Sequence, residues 1–188
     1  MKRYLILITV AVLVYSCEAA TDKKFEKESS AYPEKASPMA RFIPFVGKFQ
    51  TSHILYSQEG KEVDAFEGTA EIYFVGGGEV LVVDELTDDN RYRFVGYHAY
   101  DEKTGKYLNW TASSSQALAW STAEWDGSNE VFNTKRIDPR TGIIDSLGAR
   151  GVWTLIDEDN SVFKAIRFLP DGTEIPFKEE IYKRINNN

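Results

Sequence analysis

Two histidines, His53 and His98, one cysteine, Cys17, and four tryptophans are the side chains of this sequence best suited to binding or catalysis. Both histidines sit in β-like runs, so alternation picks their companions. His53 shares a face with Phe49, Thr51 and Leu55, and His98 shares one with Phe94, Gly96 and Tyr100. Two imidazoles turned to one interior can ligate a metal or polarise a bound molecule. The plainer alternative is a pair of hydrogen-bonded cavity polars. Two histidines are too few for a structural zinc set unless carboxylates join them, and the residues assign neither a metal nor a cofactor. Trp110, Trp120 and Trp153 have parities that suit an interior, although one bulge would invert any of them. His53, Tyr97, His98, Tyr100 and Trp110 are the expected lining of a ligand cavity, because aromatic walls with a few polar groups suit a planar or lipidic molecule.

Other candidates carry less chemistry. Asp84, Glu85 and Arg136 are charged residues inside strand runs. A rim or outer-face position is expected for them, and only one turned inward beside a histidine would anchor a ligand. Asp157-Glu158-Asp159-Asn160 lacks the Gly and the distal Glu of a calcium loop and reads as a hairpin turn. Ser113-Ser114-Ser115 has no nucleophile-elbow context, and Gly76-Gly77-Gly78 lacks the Lys-Ser/Thr of a phosphate loop. Asn109-Trp110-Thr111 has the form of a glycosylation sequon. No set of acid, base and nucleophile can be assembled, so no catalytic residue is assigned.

The elements that must position these residues are strands. Beyond Gly47 the chain is rich in Val, Ile, Thr and aromatics, in runs separated by turn residues. About ten strands are expected: Lys48 to Tyr56, Phe66 to Phe74, Val80 to Leu86, Tyr92 to Tyr100, Tyr107 to Ala112, Leu118 to Trp125, Glu130 to Ile137, Leu147 to Ile156, Ser161 to Phe168 and Ile175 to Arg184. Their short links force antiparallel neighbours, so an up-and-down meander is the simplest topology. An open sheet would leave two adhesive edges, and closure into an all-β barrel with an internal cavity removes them. Ser37-Pro38 reads as a cap and first turn, with Met39, Phe42, Ile43, Phe45 and Val46 forming one or two apolar turns that Pro44 keeps short.

The first sixteen residues read as a secretory signal: Lys2 and Arg3, an apolar run from Tyr4 to Tyr15, then Ser16. Its removal leaves 172 of 188 residues and takes the net charge from −7 to −9, which excludes a basic nucleic-acid footprint. Val14-Tyr15-Ser16-Cys17 resembles the lipobox of bacterial lipoproteins, which implies a lipidated Cys17. Residues 17–38, rich in Lys, Glu, Ser, Ala and Pro, read as a flexible tether to a barrel domain over 39–188.

Phe45-Val46-Gly47-Lys48-Phe49 resembles the opening motif of calycin-type barrels, with Phe49 in the place of the usual Trp. Gly96-Tyr97-His98-Ala99-Tyr100-Asp101, Thr104-Gly105-Lys106-Tyr107 and Trp110 resemble the central signature of the DUF1579 family. Gly76-Gly77-Gly78, Asp138-Pro139-Arg140-Thr141-Gly142 and Tyr182-Lys183-Arg184 resemble it too. The resemblance spans roughly residues 40–185 and implies a lipocalin-like barrel. In calycin barrels the opening Trp packs on an Arg of the last strand, which implies that Phe49 meets Arg184 at the closed end. Nitrobindin-like relatives hold haem through a His on a late strand; Leu147 to Arg184 carries no His, so haem is not implied.

The function expected is that of a lipid-anchored protein of the bacterial cell envelope, periplasm or outer membrane, whose barrel binds a small apolar or amphipathic molecule. A filled barrel acting as an interaction module is the alternative, and an enzyme using His98 or His53 as a base is a third reading.

Overall fold

The computed structural model describes residues 31–186 apart from 91, 115, 126–128 and 135–148; for 116–120, 124–125, 129–134 and 149 it describes the backbone alone. Among the described residues, ten antiparallel strands follow a 3₁₀ segment, Pro38–Phe45. They are β1 (Gly47–Tyr56), β2 (Glu62–Val75), β3 (Val80–Thr87), β4 (Arg93–Asp101), β5 (Lys106–Ser113), β6 (Gln116–Trp125), β7 (Asn129–Thr134), β8 (Ala149–Leu155), β9 (Asn160–Phe168) and β10 (Glu174–Arg184). Each pairs with its sequence neighbour, and β1 pairs with β10, so the meander closes. The expected lipocalin-like, all-β, up-and-down barrel is what the chain forms.

β2 shows why alternation specifies the wall. Gly68, Ala70, Ile72 and Phe74 are buried, whereas Glu67 and Thr69, on either side of Gly68, are exposed. The Gly76-Gly77-Gly78 turn has positive φ at each residue, and a β-carbon at Gly78 would run into the backbone of Pro33. Pro33 is buried there, and the Tyr32 ring lies 6.1 Å from that of Phe74. The expected tether, residues 17–38, therefore already packs on the barrel by Tyr32, because the glycine turn leaves room for backbone.

The 3₁₀ segment plugs one end. Ser37 Oγ accepts from the amide of Met39 at 3.2 Å and caps it, with Pro38 at the first position. Three residues per turn put Met39, Phe42 and Phe45 on one line, and all three are buried. The Phe42 ring lies 5.4 Å from Tyr107 and 5.6 Å from His98, and Phe45 lies 4.4 Å from Trp153. Tyr107 donates its hydroxyl to the Pro38 carbonyl at 3.0 Å. The plug and the upper barrel thus share one aromatic core.

Arg184 fastens that end. It donates to the carbonyls of Val46 at 2.6 Å, Pro44 at 2.7 Å and Glu158 at 2.9 Å, and its guanidinium carbon lies 4.8 Å from the Phe49 ring centroid. The guanidinium passes so close over Gly47 (φ 152°) that a β-carbon there would collide with it.

Candidate functional site

The opposite half of the interior is built around charge. Register places His53 across from Phe66 on β2 and Glu180 on β10, and Ala70 across from Glu85 on β3. Directly paired residues share a face, so His53, Glu85 and Glu180 all point inward. All three are buried. His53 Nε2 lies 2.7 Å from Glu85 Oε1 and 3.1 Å from Thr51 Oγ1, while Nδ1 lies 3.3 Å from Glu180 Oε1. Lys178, two residues before Glu180, forms an ion pair with Glu180 Oε1. Tyr182 donates its hydroxyl to Glu180 Oε2 at 3.0 Å.

The electrostatics follow from this crowding. Burial alone would lower the His53 pKa, but the contacts with Glu180 and Glu85 outweigh it and raise the ring from 6.5 to about 9. Burial raises the Glu180 carboxyl, yet Lys178 and His53 prevail and hold it down, from 4.5 to about 2. Burial also works against the Lys178 ammonium, but the Glu180 charge dominates and pushes its pKa up. Glu85 goes the other way: burial first, then the charge of Glu180, push its carboxyl up. Glu85 Oε2 is buried without a hydrogen-bond partner, whereas Glu85 Oε1, His53 Nδ1 and Glu180 Oε1 are held by the ion pairs just described.

Aromatic side chains ring the charges. Phe66 stacks on His53 at 4.6 Å and 16°, and Tyr92 lies 6.3 Å from Phe66. Lys178 Nζ sits 5.2 Å from the Tyr92 ring and 5.6 Å from the Phe94 ring. Phe163, across from Glu180 on β9, completes the wall. Phe66, Tyr92, Phe94 and Phe163 are only partly buried, and the Lys178 side chain is 14% exposed.

The five residues expected to line one cavity fall into three places. His53 stands in the charged centre. His98 and Tyr100 belong to the plugged end, where His98 Nε2 lies 3.1 Å from Asn109 Nδ2 and Tyr100 packs 5.2 Å from Tyr107. Tyr97 and Trp110 correct the expectation. They pair with each other across β4 and β5, on the face opposite His98 and Asn109, and Tyr97 is 42% exposed. They belong to the outer wall, because neighbours on a strand point to opposite faces. Glu85 also differs from its expected rim or outer position and lies inside. Asp84 is on the outer face, where its carboxylate accepts from Arg93 at 3.0 Å. Cys17 and Arg136 lie outside the described residues.

Lys178 and Glu180 escaped the sequence reading, although they share parity with Tyr182 and Arg184. The run Lys178-Glu179-Glu180 has the look of a solvated face, which hid that signal.

One solved structure of similar fold agrees with the architecture. The crystal structure of Rv2717c from M. tuberculosis is 14% identical and covers 80% of this chain and 99% of that chain, with a TM-score of 0.51. A de novo designed fluorescence-activating β-barrel is 16% identical over 75% of this chain and 94% of its own, with a TM-score of 0.34. No curated protein matches the sequence. The family described as "Protein of unknown function (DUF1579)" matches residues 37–184. With most of its length and the whole of its barrel inside that match, the chain belongs to the DUF1579 family.

Proposed function

We propose that this protein is a cell-envelope lipoprotein whose barrel takes up a small amphipathic molecule. The observation that carries the reading is the incomplete burial of side chains that point into a closed barrel. Were the interior filled from end to end, Phe66, Phe94 and Phe163 would be as buried as Phe42 and Phe49 at the plugged end; they are not. Aromatic walls supply affinity at about 25 cal/mol per Å² of apolar area removed from water. His53, Lys178 and the carboxylates supply a polar floor to orient the ligand's head. His98 and Tyr100, locked into the aromatic core, support the wall rather than line the site. The lipid anchor rests on Val14-Tyr15-Ser16-Cys17, since a lone cysteine at that point of a signal sequence has no partner to pair with.

Titration with an anilinonaphthalene sulfonate, an apolar aromatic dye with an anionic head, tests the binding site. One saturable site per chain, with a blue-shifted emission that is lost in Phe94→Asp but kept in the outer-wall variant Tyr97→Ala, is the expected result. Equal binding by both variants would move the dye to the outside of the barrel and remove the proposal.

A further inference from the structure

We infer that His53, Glu85 and Glu180 form a binding site for a divalent transition-metal ion of the zinc type. This site uses the floor that the ligand-binding reading assigns to the ligand's head, but ion binding is measured without any guest molecule and stands or falls separately. One nitrogen and two carboxylates from three strands place donor atoms within 4.8 Å of one another. Ligands about 2.0–2.2 Å from a common zinc ion stand roughly 3.3–3.6 Å apart, and His53 Nδ1 and Glu180 Oε1 are separated by 3.3 Å. Glu85 Oε1 faces the other ring nitrogen at 2.7 Å, so the imidazole and the Glu85 carboxylate shift together when one ion takes all three donors.

The second, independent observation is Glu85 itself. It is fully buried, at 0% exposure; its Oε1 lies 2.7 Å from His53 Nε2, and its Oε2 has no hydrogen-bond partner. The His53 ring is shared between two carboxylates, and a buried carboxylate with an oxygen left over is costly unless a further cation completes it. Glu180 Oε1 faces the same imidazole from its Nδ1 side at 3.3 Å, so carboxylates from two strands converge on one histidine. Nitrogen with two oxygens is a donor set that zinc, manganese and iron accept, whereas calcium and magnesium prefer oxygen alone. Three protein ligands leave a coordination position for water or the head of a bound molecule, the pattern of an open site.

Lys178 is the competitor. Its ammonium holds the Glu180 oxygen that the ion would take. Its long stem also reaches the rings of Tyr92 and Phe94, which offer the ammonium a resting place when an ion displaces it. An ion-binding role therefore predicts opposite effects for two neighbours in one cluster. Removing Glu85 weakens the ion, and removing Lys178 strengthens it.

Calorimetric titration of ZnCl₂ into the chelator-treated full chain, with Co²⁺ absorption as a second readout, decides the matter. We expect one zinc per chain, at least tenfold weaker binding in Glu85→Gln and His53→Gln, and at least tenfold tighter binding in Lys178→Met. The exposed-loop variant Asp157→Asn should bind like the unaltered chain. Unaltered affinity in Glu85→Gln, or no stoichiometric binding at all, overturns the site. Should the glutamine variants fail to fold, two results remain. An intense four-coordinate Co²⁺ band in the unaltered chain with tightening by Lys178→Met supports the site; absence of the band, or weakening by Lys178→Met, overturns it.

Discussion

His53 governs how the stability of the barrel depends on pH. Its pKa rises from 6.5 to about 9 on folding, so its contribution is complete below pH 6.5 and is lost as pH climbs through about 9. The span corresponds to about 3 kcal/mol. Glu180 behaves in the mirror sense. Its carboxyl falls from 4.5 to about 2, so its contribution is present above pH 4.5 and disappears as pH drops through about 2. Urea midpoints in the presence of chelator should therefore decline between pH 6.5 and 9, and His53→Gln should flatten that alkaline limb. Glu180→Ala strands the Lys178 ammonium in the interior and should cost about 3–5 kcal/mol at neutral pH, since removing one partner of a buried pair leaves an uncompensated charge. A loss under 1 kcal/mol would mean that the lysine escapes to solvent without penalty.

At the scale of elements, the 3₁₀ plug and the β1–β10 seam act as one device because Arg184 touches both. Lysine in its place carries the charge but cannot donate to the Val46, Pro44 and Glu158 carbonyls together while stacking on Phe49. Arg184→Lys should cost about 2–3 kcal/mol, from hydrogen bonds made by a charged group. Gly47→Ala should weaken the same seam by displacing the guanidinium. Equilibrium unfolding measures both, and a neutral Arg184→Lys would show that plug and seam are held by the aromatic core alone.

The same scale explains what the sequence revealed. Strand positions, hairpin turns and closure were legible because Gly, Pro and Asp mark turns and β2 alternates cleanly between Glu67–Thr69 and Gly68–Ala70. His53 was legible on β1 for that reason. β3 was different: Leu81, Val82 and Val83 are all buried, so nothing in their types says which side of the wall Glu85 joins. β4 carries Phe94, Val95, Tyr97, Ala99 and Tyr100 on both faces, which left Tyr97 and Trp110 on the wrong side. Pairing across the barrel settles both ambiguities, because His98 is held opposite Leu81 and Asn109. The charged centre joins strands at opposite ends of the chain, and no local pattern announces such a meeting.

For the whole molecule, the proposed anchor makes a separate prediction. Cys17→Ser should move the protein from the membrane fraction to the soluble envelope fraction with its dye binding unchanged. Persistence in the membrane fraction would place attachment elsewhere. The contact of Tyr32 and Pro33 with Phe74 and Gly78 gives such an anchor a geometric consequence. The polypeptide joins the barrel at its plugged pole, beside the 3₁₀ segment, while Lys178 and its aromatic ring lie toward the far pole. A protein moored by its amino terminus would then hang like a cup with its base toward the bilayer and its rim toward the aqueous compartment, placed to catch solutes from the water rather than lipids sliding sideways out of the leaflet.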